Sequence, residues 1–404
     1  MPTSDDLLKS LAQGFMPQEE MLEVARKKSK LQIGIPKETS LQEKRIPLVP
    51  DAVTVLVNNG HEVLIETGAG EGSSFSDKDF SEAGAKIVYS TEQIYQANMI
   101  LKVAPPTLAE IDLMQHGQLL ISALQLPMQP KDFIKKLITK KVTAIAFDYI
   151  KDSNGILPIV SAMSEIAGNA SILIAAEYLS NIHKGQGQLF GGISGVSPTE
   201  VVIIGAGTVG EFAAKSALGL GAIVKVFDNN IHKLRRIQTV LGQRVATSVI
   251  QPKVLTKALL TADAVIGALS SPIGRTPIVV TEEMVSNMKD FSVIVDVSID
   301  KGGCIETSEV TNHDAPIFSK YGVIHYCVPN IASRVSRTAS FALSNVIMPT
   351  ILDTGEYGGL ETMIKSYQGI QNGVYIYKGI LTNKYLAETF NLPYKDINLL
   401  LMAM

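Results

Sequence analysis

Short apolar runs of β character recur along the chain from residue 31: 31–35 (LQIGI), 62–66 (EVLIE), 86–89 (KIVY), 98–103 (NMILKV), 118–124 (QLLISAL) and 142–147 (VTAIAF). Most are separated by stretches of helical period, such as 51–59 and 129–140. Strands that alternate with helices predict a parallel sheet covered on both faces. The series stops near residue 150, at the turn-rich KDSNG. Residues 163–182 then run Ala-rich and apolar on most faces, which predicts a buried helix connecting two domains. After the Gly-rich GGISGVSP, a second series opens with VVIIGAG at 201 and continues at 222–227, 263–268, 291–296 and 323–327. From about 337 the pattern is helical, with no new sheet expected. That tail is too short to fold alone, so it is expected to return to the first domain and make it discontinuous.

The second series opens on a motif with chemistry. Gly205, Gly207 and Gly210 follow the apolar run 201–204 and precede the helical run 211–220. In that context Gly205 makes the tight turn and Gly207 lets the backbone approach a pyrophosphate. Gly210 lets helix and strand pack closely. Thr208 and Val209, between the glycines, are candidate cofactor contacts, and the N-terminal amides and partial positive charge of the helix suit the pyrophosphate. Asp228 ends the next strand, 23 residues after Gly205. A carboxylate there accepts bonds from ribose hydroxyls and repels a 2′-phosphate, which favours NAD over NADP. Lys233 and Arg235 lie just beyond and leave some NADP tolerance open.

The fold class expected is α/β: two Rossmann-like domains with parallel sheets, joined by long helices, the first domain discontinuous. The boundaries read as a helical extension over 1–30, a substrate domain of 31–162 plus 337–404, and an NAD-binding domain of 163–336. The extension carries Leu7, Leu8, Leu11 and Phe15 at helical spacing.

Composition narrows the function. The 404 residues carry 36 Lys+Arg against 39 Asp+Glu, a net charge of −3, so neither nucleic acid nor an anionic membrane surface is an expected partner. Two cysteines, Cys304 and Cys327, provide no disulfide scaffold and fit a reducing cytoplasm. No secretory or membrane-spanning segment is expected, and no metal-ligand constellation stands out.

Several long segments together resemble the alanine dehydrogenase family, which shares its fold with the alpha subunit of pyridine nucleotide transhydrogenase. They are IGIPKETSLQEKRIPLVP, GHEVLIETGAGEGSSFSDKDF, MSEIAG, VVIIGAGTVG, IVDVSIDKGGC and YCVPN…SNVIMP. The resemblance covers roughly four-fifths of the chain, with DYIKDSNGILPIV and Asp300 placing it nearer the dehydrogenases. It implies interconversion of L-alanine and pyruvate plus ammonia with NAD, in a homo-oligomer, a hexamer or a dimer. It puts a substrate-binding arginine on Arg45 and a lysine on Lys102, at a strand's C-terminal end. A bidentate guanidinium suits the carboxylate of a 2-oxo acid or amino acid. It puts the catalytic aspartate on Asp300, read as ending a strand over 293–299. Ser164 resembles a cofactor contact, with a helix cap as the alternative. Asn330 falls near the nicotinamide, with a turn-forming role as the alternative.

One departure matters. Where the family carries a catalytic histidine after a strand, this chain has Gln125, in Ala123-Leu124-Gln125-Leu126. An amide donates a hydrogen bond but moves no proton, and acid–base catalysis is worth ~10²–10⁴-fold. Proton transfer is left to Asp300, Lys102 or water. The alternative function is an NAD(H)-binding protein, transhydrogenase-like or regulatory, without efficient turnover. Of the six histidines, His61 reads as a surface residue and His325 as core.

Overall fold

A computed structural model describes residues 29–40, 43–125, 129–271 and 274–402. Nearly all of the expected N-terminal extension lies outside them. Fifteen described strands form two sheets. The first contains β1 (Gln32–Ile35), β2 (Glu62–Glu66), β3 (Lys86–Val88), β4 (Met99–Leu101), β5 (Leu119–Ser122) and β6 (Thr143–Ala146). The second contains β7 (Glu200–Ile204), β8 (Ile223–Phe227), β9 (Ala246–Ser248), β10 (Ala264–Gly267), β11 (Val293–Asp296), β12 (Ile317–Lys320) and β13 (Val323–Tyr326). The tail adds β14 (Val374–Tyr377) and β15 (Ile380–Leu381) to the first sheet.

The strand orders are β15-β14-β6-β5-β4-β1-β2-β3 and β12-β13-β11-β10-β7-β8-β9. β1 to β6 pair in parallel, as do β7 to β11 with β13. Most are buried along their length, so they read as unbroken apolar runs rather than alternating ones. In each sheet the order reverses once, between β1 and β4 and between β7 and β10. A ligand crevice opens at the carboxyl ends beside such a reversal.

Two expectations need correcting. The tail is not purely helical: it returns to the first domain as expected, but through strands. β14 pairs antiparallel with β6 and β15 pairs antiparallel with β14. The second sheet likewise ends in an antiparallel edge, β12 on β13. A chain arriving by a tight turn, as at Lys378-Gly379 with positive φ at both residues, can only pair antiparallel. His61 is also not on the surface. It is 8% exposed, and its Nδ1 accepts the Leu31 N–H at 3.2 Å.

The connecting helix spans Pro158–Leu179, with proline at its first position. Among the described residues it is the one helix long and apolar enough to cross a membrane by length and composition. Here its Ala-rich face packs into the second domain. A Cβ at Gly168 would lie 2.5 Å from the Val209 oxygen, so glycine allows close approach to the helix Thr208–Gly219.

Helix Ser336–Glu356 crosses back to the first domain. With the turn before it, it straps down the loop after β1. The N–H groups of Lys44, Ile46 and Val49 donate to the hydroxyls of Ser333, Ser340 and Ser344 at 2.9, 2.9 and 3.2 Å. An irregular buried loop must find partners for its amides, and these serines supply them.

Candidate active site

A cavity of about 310 Å³ opens where the two sets of strand ends face each other. The first domain contributes Arg45, Ala123, Phe147 and Asp148, and the connecting helix contributes Ser164. The second contributes Val209, Asp300 and Asn330. Five residues singled out from sequence, Arg45, Ser164, Val209, Asp300 and Asn330, therefore line one cavity. Ser164 lies seven residues into its helix, so it is not a cap.

Arg45 is buried and clamped. Glu43 accepts from its Nε at 2.7 Å and from its Nη2 at 2.6 Å, and Nη1 points to the Met163 sulfur at 3.2 Å. Burial works against both charges, but their mutual attraction outweighs it: Arg45 is pushed up and Glu43 down. Glu43 also accepts from Asn330 Nδ2 at 3.0 Å, and the Asn330 N–H donates to Asp300 Oδ1 at 2.8 Å. The network Arg45–Glu43–Asn330–Asp300 thus spans both domains. Asn330 holds φ +55°, a left-handed conformation that asparagine tolerates. Glu43 escaped the sequence reading because KETSLQEKR looks like a solvated loop. Its spacing of two residues from Arg45 was the available signal.

Asp300 does not end a strand. β11 stops at Asp296, whose carboxylate accepts from Ser298 N–H at 3.0 Å, Cys304 N–H at 3.1 Å and Ser308 Oγ at 2.7 Å. This side chain bends the backbone into a 3-10 turn, Val297–Lys301, which ends at Gly302 with φ +89° and carries Asp300 into the crevice. Burial pushes Asp300 upward, opposed by the Asn330 bond and by the Arg45 and Lys301 charges. Cys304 is buried, and burial pushes its thiol far up, so it packs.

Lys102 directly follows β4 and is 1% exposed, but it is not among the residues lining this cavity. Its Nζ lies 2.9 Å from Glu110 and 3.2 Å from Glu38. Burial disfavours the ammonium, but the two carboxylates outweigh that and push Lys102 up. Burial pushes Glu38 up.

Gln125 is exposed, at φ +45°, and does not line the cavity. Its neighbour Leu124 donates its N–H to Asp148 Oδ1 at 3.3 Å. Asp148 follows β6 and was not singled out from sequence. Burial pushes its carboxyl up to about 6, with backbone donors holding it down.

The glycine turn fits a dinucleotide. Gly205 has φ +118°. A Cβ on Gly210 would fall 1.8 Å from the Gly205 oxygen, whereas one on Gly207 would meet nothing within 4 Å. The open side of Gly207 therefore faces a cradle, and helix Thr208–Gly219 begins there without a side-chain cap. Its first amides stay available for a pyrophosphate. Asp228 is buried and accepts from Ala206 N–H at 2.8 Å and Asn230 N–H at 2.7 Å, which fixes its carboxylate at the strand end. Lys233 is exposed on the next helix, its N–H capped by Asn230.

Family models for the N-terminal and C-terminal domains of alanine dehydrogenase/PNT match residues 34–167 and 171–384. The chain belongs to this family. Alanine dehydrogenase 2 of Staphylococcus aureus (strain USA300) is 40% identical over 368 residues, covering 91% of this chain and 98% of that protein. A solved L-alanine dehydrogenase superposes with a TM-score of 0.84 at 38% identity, covering 89% of this chain and 99% of that one. A transhydrogenase from Sinorhizobium meliloti shares the fold, with a TM-score of 0.75, 23% identity and coverage of 87% and 99%. Family membership makes this an NAD-dependent oxidoreductase of the class acting on CH–NH2 groups.

Proposed function

We propose that the protein oxidises L-alanine with NAD and water to pyruvate, ammonia and NADH, as a cytoplasmic homo-oligomer. The observation that carries this reading is the network Arg45–Glu43–Asn330–Asp300, of which Arg45, Asn330 and Asp300 line one cavity together with Val209 of the cofactor helix. A carboxylate-binding cation, a carboxyl group and an apolar surround meet at one place.

NAD, when bound, supplies the acceptor for the hydride that leaves the substrate Cα. Gly205, Gly207 and the amides of Thr208 and Val209 would hold its pyrophosphate, with Gly210 letting the helix pack close behind them, and Asp228 would hold its ribose. Ser164 and Asn330, which line the cavity, would contact its nicotinamide end. Arg45 orients the substrate carboxylate through Nη1 and the free edge of Nη2, since Glu43 holds the other edge. Asp300 faces the reacting nitrogen. Ala123, Phe147, Ile159 and Met163 surround the space for the side chain, which favours an apolar amino acid. Lys102 holds Glu38 and Glu110. Exposed Ile182, Leu189, Ile193 and Val196 support burial against another copy.

The test is a steady-state assay of NADH oxidation with pyruvate and ammonia, then with a panel of larger 2-oxo acids, alongside fluorescence titration of NADH and NADPH. Pyruvate-dependent turnover and tighter NADH binding are expected. NADH binding without turnover of any 2-oxo acid would support the alternative, a binding protein.

A further inference from the structure

Amino-acid oxidation needs a proton carrier as well as a hydride path. The Cα–H bond breaks with its electron pair, and the nitrogen lone pair forms the C=N bond. Water then adds to the iminium carbon and must lose a proton. The carbinolamine collapses when its C–N bond breaks and its hydroxyl proton leaves, and the nitrogen takes a proton to depart as ammonia. None of the six histidines lines the cavity, Gln125 carries no exchangeable acid, and Lys102 is enclosed by two carboxylates.

Resting on the dehydrogenase reading, we propose that Asp148 is the proton-transfer residue: its carboxylate takes the proton of the attacking water and returns one to the departing nitrogen. Its position carries the argument. It sits just past the carboxyl end of β6 and lines the same cavity as Arg45, Asp300 and Asn330. It is bonded to the segment that carries Gln125, through the Leu124 N–H. So the carboxyl stands beside the place where a proton carrier is missing from the sequence.

The other carboxyl of the cavity is committed differently. Asp300 is tied to the Asn330 N–H and feels the charges of Arg45 and Lys301. No described cation pairs with Asp148. Tyr375 on β14 and the adjacent Tyr149 feel its charge, and their phenols stay neutral because burial pushes both up. The other charged groups lining the cavity are Arg45, Asp300 and Lys301. A carboxyl that titrates at about 6 can hold and release a proton near neutrality, as acid–base chemistry requires.

The sign follows. Oxidation needs Asp148 ionised, so kcat for alanine oxidation falls as pH drops through about 6. Asp148→Asn keeps an oxygen that can accept the Leu124 N–H but cannot carry a proton. It should lower kcat by ~10²–10⁴-fold and abolish the acid limb, with NADH affinity unchanged. Asp148→Glu should keep the limb at a reduced rate. An Asn variant with wild-type kcat and an unchanged limb overturns this proposal and leaves the dehydrogenase reading standing. A wild type that binds NADH but turns over no amino acid overturns both. Should Asp148→Asn not fold, Asp148→Glu decides: a displaced limb supports the role, and an undisplaced one refutes it.

Discussion

Arg45 and Glu43 show how a binding cation can be kept charged inside a protein. The pair is bidentate, and its third partner, Asn330, comes from the other domain. Removing one partner of such a buried pair costs ~3–5 kcal/mol, because the other is left uncompensated. Arg45→Ala would therefore confuse stability with binding. Arg45→Lys keeps the cation against Glu43 but loses the planar fork. It should raise the 2-oxo acid KM by ~10–100-fold, the equivalent of one or two charge-assisted hydrogen bonds, with little change in Tm. Initial rates and thermal melts distinguish the two effects. The glycines of the cofactor turn make a second contrast. Gly210→Ala should lower Tm sharply, because its Cβ collides with the Gly205 backbone. Gly207→Ala should melt like wild type, because its Cβ meets only open space, yet weaken NADH by ~10-fold or more, as one backbone–pyrophosphate contact is lost.

At the scale of elements, the edge pair β12 and β13 carries its own pH dependence. His325 on β13 is fully buried, with Nδ1 3.0 Å from the Val323 carbonyl and Nε2 2.8 Å from the Thr307 hydroxyl. A carbonyl only accepts, so Nδ1 carries the proton and neutral Nε2 accepts from Thr307. Burial lowers the ring's pKa from the usual 6.5 to about 4. Between those values the unfolded chain binds a proton that the folded chain refuses, so this residue's contribution to stability is full above about 6.5 and declines as pH falls toward about 4. The loss amounts to about 3 kcal/mol over that window. Asp148, shifted upward, acts in the opposite sense over part of the same range. The histidine's share is therefore read as a difference: denaturant melts of His325→Gln and wild type from pH 4 to 7 should diverge at high pH and converge at low pH. Parallel curves would remove this account.

Across the whole molecule, the site exists only because two sheets present their carboxyl ends to one crevice, with helices Pro158–Leu179 and Ser336–Glu356 fixing the spacing. A ligand bound only by the folded form stabilises it by RT ln(1 + [L]/Kd), about 2.7 kcal/mol at a hundredfold excess over Kd. Saturating NADH should accordingly raise the wild-type Tm, and Gly207→Ala should need proportionately more NADH for the same shift. Differential scanning fluorimetry over a range of NADH concentrations reads both, and equal responses would exclude the Gly207 cradle. What the sequence determined by itself was whatever depends on local order. Apolar runs marked eleven of the fifteen described strands, and a glycine triplet between a strand and a helix marked the cofactor turn. The short or edge strands β9, β12, β14 and β15 stayed hidden because they depend on the neighbour they pair with. Arg45, Ser164, Asp300 and Asn330 were legible through motifs, but their meeting around one cavity was not, since up to 285 positions separate them along the chain. Glu43, Glu38 and Glu110 look like solvated charges until folding buries them against Arg45 and Lys102. Asp148 looks like the end of a strand until the connecting helix and the Leu124 amide enclose it. Burial, and with it the pairing and titration of these groups, is a property of what surrounds a side chain, and only the tertiary structure decides that.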